Sequence, residues 1–139
     1  MSTTIRQQLL DAMTTALKTL PGVTVYTDDP PPLEATVFPA VYLIDGEATV
    51  DVAGSEMGRQ LNVLTFELKV GGAGRTCPAE TRALMGDVVA LLWINRKWGG
   101  LARMTDITAH SLELTEAARL YAVGNITASV SYLSPLGTI

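Results

Sequence analysis

Four places in the sequence carry residue types that do chemistry in other proteins, and each can be judged by its spacing. Gly71-Gly72-Ala73-Gly74 stands between a strand-like run and a helix-like run, where backbone N–H groups often cradle phosphate. A dinucleotide fingerprint needs three glycines in the order G-x-G-x-x-G. Here Gly72 and Gly74 are followed by Cys77 where the third should stand. A P-loop needs lysine directly before Ser or Thr, yet Arg75 precedes Thr76 and the glycine spacing is wrong. The strand before the cluster is half polar, unlike the buried parallel strands of nucleotide-binding folds. The cluster reads as a flexible strand-to-helix turn.

Cys77 falls at a helix start, where the dipole favours a thiolate, and His110 is the only histidine available as its base. No spacing brings the two together, so the expected roles are a half-buried cysteine and a histidine at a bulge. Asp28, Asp29 and Glu34, then Asp45, Glu47 and Asp51, supply carboxylates. Calcium loops set acids at alternating positions around a glycine, and Pro30 to Pro32 occupy those places after Asp29. A solvated acidic loop is expected, with no metal and no cofactor. Trp93 and Trp98 flank Arg96-Lys97, a pattern that suits base stacking only where further aromatics and positive charge surround it. Packing at a helix end is the expectation there. None of these places supports an enzyme.

The elements that would position these residues follow from periodicity. Ile5, Leu9, Ala12, Met13, Ala16, Leu17 and Leu20 recur on one helical face, with possible N-cap oxygens at Ser2 to Thr4 and Pro21-Gly22 as the stop. A helix over 4–20 is predicted. Val23 to Thr27 reads as a short strand, Asp28 to Pro32 as a stiff extended connector, and Ala40 to Ile44 as a central strand covered on both faces. Residues 45–59 carry three glycines and five charges and read as a long loop or a protruding hairpin. Leu64, Phe66, Leu68 and Val70 alternate with polar residues over a strand at 61–70. Pro78 and Glu80 open a second helix that runs to Ile94. Its second half, Val88 to Ile94, is apolar all round and calls for a second layer or a neighbouring subunit. Strands at 105–115, with a bulge near His110 and Ser111, and at 118–133 form a closing hairpin. The expectation is one α+β domain over 1–139, a mostly antiparallel sheet packed against two helices in the order α-β-β-β-α-β-β.

Composition narrows the partners. Charged residues make up 17% of the 139 against 47% hydrophobic, where about 25% charged is usual. Too few charges to cover a small surface point to self-association. A net charge of -4, with basic residues dispersed, argues against general nucleic-acid binding. One cysteine cannot form an internal disulfide, and no apolar run approaches the roughly 18 residues that span a bilayer, so a soluble cytoplasmic chain is expected.

The order of elements, together with Leu20-Pro21-Gly22-Val23-Thr24-Val25-Tyr26, Phe38-Pro39-Ala40-Val41-Tyr42-Leu43, Leu112-Glu113-Leu114 and Ile126 to Tyr132, resembles the tail terminator and minor tail protein family of long-tailed bacteriophages. The resemblance covers most of the chain and rests on packing patterns. It implies a virion protein at the tail–head junction, assembled in the host cytoplasm. It further implies a ring, typically of six copies, that stops the tail tube and joins the head connector without cofactor or catalysis. Its partners would be further copies of itself, the major tail tube protein and the connector. A neighbouring neck or tail completion subunit, or a small host ligand-binding or enzyme domain, are the alternatives. Val89, Leu92, Trp93 and Trp98 are the expected subunit contacts. Asp45, Glu47, Asp51, Glu56 and Arg59 are the expected contacts with tube or connector, from their charge and exposure.

Overall fold

Thr4 starts the first helix: its hydroxyl oxygen accepts from the Gln7 amide at 3.1 Å, satisfying one of the donors a helix start leaves free. The computed structural model describes residues 4–27, 31–32, 36–116 and 119–139, with backbone alone at 52–56. Helix α1 (Ile5–Leu17) buries Leu9, Met13 and Leu17, one turn apart each. It stops earlier than the periodicity suggests. The amides of Thr19 and Leu20 bond Ala16 and Leu17, three residues back, so the last turn tightens before Gly22 reverses the chain.

Five strands follow: β1 (Thr24–Thr27), β2 (Ala40–Glu56), β3 (Arg59–Ala73), and, after helix α2 (Cys77–Ile94), β4 (Met104–Glu116) and β5 (Leu120–Pro135). They form one sheet in the order β1-β2-β3-β5-β4. Only β1 and β2 run parallel; every other pair is antiparallel. The α+β class and element order are as the sequence predicts. The connector from Asp28 lies mostly outside the described residues. Residues 45–59 prove to be a hairpin, with β2 and β3 continuing to a tight turn at Met57-Gly58. Both turn residues have positive φ, 46° and 78°, the hand that matches strand twist.

Alternation sorts the two faces of the sheet. Leu64, Phe66, Leu68 and Val70 on β3 pair with Val130, Ala128, Ile126 and Gly124 on β5, and this face carries the core with Val41 and Leu43 of β2. Both helices pack on it. Burying side chains of this size contributes about 1.5–3 kcal/mol each, which makes this layer the main source of stability. The opposite face presents Thr65, Thr127, Ser129 and Ser131. Tyr42 lies on that side yet is buried, because its hydroxyl donates to Thr36 at 2.8 Å and its ring sits 5.3 Å from that of Tyr26.

Two expectations need correction. Gly71, Gly72 and Ala73 do not break β3; they continue it, paired with Val123, Ala122 and Tyr121. The chain turns only at Gly74, where φ is 103°. The glycines are there for room. A Cβ on Gly71 would lie 2.8 Å from the Phe38 ring, and one on Gly72 would lie 2.6 Å from Thr81 Oγ1. The bulge in β4 falls between Ile107 and Ala109, ahead of His110, and switches the inward phase from Thr105 and Ile107 to His110, Leu112 and Leu114.

Gly72→Ala should therefore destabilise the fold by about 1–3 kcal/mol, since Thr81 is short, branched and buried and has little freedom to yield. Urea unfolding checks this: the midpoint should fall with an unchanged slope, and an unmoved midpoint would refute the close packing.

Candidate functional site

Cys77 is fully buried at the foot of α2, its Sγ 3.8 Å from the Leu120 carbonyl oxygen. Burial pushes its thiol up from the ordinary value of 9.0, and the nearby Glu80 carboxylate pushes the same way against a backbone hydrogen bond. A nucleophile needs the opposite. His110 pairs with Ile126, whereas Cys77 sits over Gly72, which pairs with Ala122. Four residues of β5 separate those rows, roughly 13 Å at strand spacing. The two side chains do not form a pair. Among the described residues no group of three or more His, Cys, Asp or Glu could hold a metal ion, and no helix is long and apolar enough to cross a membrane.

The structure divides the expected contact residues. Leu92 is 2% exposed and Trp98 6% exposed, so both are core residues and not contacts on the surface of the subunit. Trp98 turns inward because the helix has ended: its φ is +47°, outside the helical region. Its indole N–H donates to Thr105 Oγ1 at 2.8 Å, and that hydroxyl donates to the Arg96 carbonyl at 2.9 Å. Val89 is half-buried against the core. Trp93, by contrast, is 62% exposed and Ile94 74% exposed. The Arg96 guanidinium lies 5.0 Å from the Trp93 ring centre.

The outward face of α2 can now be read. Ala83, Gly86, Ala90 and Trp93 follow one another at helical spacing, all exposed, and no charge appears on α2 after Asp87. Among the described residues nothing covers this face. Alongside it runs a groove of about 460 Å³ between α2 and β4, lined by Met85, Val89, Ile107 and Leu112, with Arg82 and His110 among its polar groups.

The acidic stretch is also divided. Asp45 accepts an ion pair from Arg6 at 2.7 Å, and the same guanidinium donates to the Gly46 carbonyl at 2.8 Å, so this carboxylate ties α1 to β2. Glu47 and Asp51 are exposed on β2, and Arg59 is exposed just past the hairpin turn. The side chain of Glu56 lies outside the described residues. Met57 and Leu136, both exposed at the hairpin tip and joined by the Leu136 amide on the Gly58 carbonyl, escaped the sequence reading. A lone apolar residue in a loop gives no sequence signal of exposure. Compared with known proteins, the sequence matches no family model and no curated protein.

Three buried acids set an alkaline limit. Burial raises Tyr42 and Tyr132 above the ordinary 10.0; for Tyr42 the Thr36 hydrogen bond opposes this, and for Tyr132 the charge of Arg6 does. Cys77 is raised above 9.0. Raised values mean the folded state holds these protons more tightly than the unfolded state. The stability they contribute is complete below the unfolded values and is lost as pH rises through the folded ones. The urea midpoint should hold up to pH 9 and fall above it, with Cys77→Ala removing the earliest part of the fall. A midpoint that climbs above pH 10 would contradict the burial of both tyrosines.

Proposed function

We propose that this chain is a structural subunit of a phage virion, a tail terminator that assembles with copies of itself into a ring on the end of the tail tube. The observation that carries the reading is the outward face of α2 after Asp87, which carries no charge and ends in the exposed Trp93 and Ile94. Exposed aromatic and aliphatic side chains on a rigid helix are what subunit contacts are made from. The buried, proton-retaining Cys77 and its separation from His110 favour assembly over catalysis. The six-fold ring and the tube as target come from the resemblance of the sequence to tail terminators. A subunit repeating one contact needs different patches on its two sides, and such contacts close into rings when the rotation fits.

Trp93→Glu tests it cleanly, because the side chain is exposed and the monomer should keep its fold. A charge buried unpaired in a contact costs several kcal/mol per subunit, enough to abolish the ring. Light scattering should show a ring mass for the natural protein and a monomer for the variant, with unchanged circular dichroism. In a phage, loss of the gene should leave tails of uncontrolled length unjoined to heads. Normal tails joined to heads without it would end the reading.

The groove between α2 and β4 favours a second reading, a small apolar ligand, since about 460 Å³ lies within the usual range of ligand sites. A thermal-shift screen decides. A site filled at a hundred times its dissociation constant stabilises by about 2.7 kcal/mol, and a screen of apolar compounds with no shift would dismiss it.

A further inference from the structure

Charge is distributed along this chain in two blocks, and the sheet sets described members of each on opposite edges. Seven of the 14 acidic residues lie between Lys18 and Arg59, with no Lys or Arg among them. From Val88 to Thr105 the reverse holds: Arg96, Lys97 and Arg103 occur with no acid. Strand β1 pairs with β2 only as far as Leu43, so among the described residues β2 is itself the edge of the sheet beyond that point. Glu47 and Asp51 are exposed on β2 beyond Leu43. At the other edge, Arg103 directly precedes β4, which opens at Met104, with Lys97 exposed before them and Trp93 and Ile94 at the end of α2.

Glu47 and Asp51 also stand at the same height as the start of β4. Thr49 pairs with Val63, Val63 with Ser131, and Ser131 with Met104, which makes a single row across the sheet. The Arg103 amide bonds the Ser131 carbonyl at 2.7 Å and holds the basic corner to that row. Glu47 and Asp51 flank Thr49 at the row's other end. Three acids follow the basic corner on β4, Asp106 close to it and Glu113 and Glu116 at the far end of the strand.

We infer that the acidic outer edge of β2 docks against the basic, Trp93-bearing corner at the start of β4 on a second copy of this chain. The inference rests on the ring proposed above and names its contact. Opposite charges on opposite edges favour a head-to-tail neighbour and disfavour a two-fold pair, which would set like against like. Equal height on the two edges lets the neighbour dock sideways with little shift along the strands. A ring closes under that condition, and a climbing filament does not. Trp93 and Ile94 supply apolar contact inside the charged rim.

The experiment uses the whole chain and three variants: Glu47→Lys, Arg103→Glu and the two combined. Mass by light scattering is read across concentration, and in salt from about 50 mM to about 500 mM. Each single reversal should weaken association about tenfold or more. The combined variant should recover, because its edges again carry opposite charges. Mixing the two single variants in equal amounts should also recover assembly, as alternating copies meet with opposite charges at every contact. Lys97→Glu replaces Arg103→Glu if the latter fails to fold by circular dichroism. Single variants that assemble like the natural protein, or folded combinations that never recover, overturn this contact while leaving a ring intact. A natural protein that stays monomeric at every concentration overturns both the contact and the ring.

Discussion

The close approach of α2 to the sheet is the constraint on which the rest of the structure depends. Two glycines permit it. Gly72 receives the foot of the helix against Thr81 and Cys77, and Gly124 lies directly beneath the thioether of Met85, where a Cβ has no space. With the helix held at both points, its rotation is fixed. Val88 and Leu92 face the core, and Trp93 and Ile94 face outward. The second half of this 18-residue helix, Val88 to Ile94, is apolar all round and has no amphipathic preference of its own to settle this. The sheet decides, and with it which apolar residues are left exposed.

A second set of contacts fixes the end of the sheet that carries the hairpin. Asn62, buried on β3, donates to Ser134 at 2.8 Å, and Ser134 donates to the Thr138 carbonyl at 3.0 Å. Gln60 reaches the same carbonyl at 2.8 Å. The Ile139 backbone oxygen then accepts from the Arg6 amide at 3.0 Å, filling one of the donors left free at the start of α1. Through Asp45 the Arg6 side chain holds β2 as well. Residues from both ends of the described chain thus tie β3 near the hairpin turn to the end of β5 and, through Arg6, to α1 and β2.

Much of the fold was legible because period carries direction. The three-and-four spacing from Ile5 to Leu17 placed α1, and the alternation from Leu64 to Val70 placed β3 with the right face inward. Gly71 and Gly72 were misread because a glycine required by a neighbour's side chain looks, in sequence, like one required by a turn. The bulge in β4 was expected two residues late, since Thr108 and Ala109 are compatible with either phase. Which of the expected contact residues are exposed was half legible. The uncharged run after Asp87 showed that some surface was apolar, but a run without polar residues has no inward mark, and Leu92 could not be told from Trp93. Trp98 was out of reach for another reason: a left-handed turn after Asn95 resets the direction of every later side chain.

The central pairing of the sheet joins segments far apart in the chain. Strand β3 pairs along its whole length with β5, from Arg59 with Pro135 to Ala73 with Tyr121, and α2 and β4 lie between them in sequence. The β2–β3 and β4–β5 hairpins are local and can form early, whereas the seam between them must await the whole intervening stretch. Until β5 has been synthesised, β3 offers a long unpaired edge with Leu64, Phe66, Leu68 and Val70 uncovered on its inner face. That interval is when the nascent chain is most open to pairing with the wrong strand, including β3 of another copy. The chain is thus exposed, while it is being made, to a competing association through its own core.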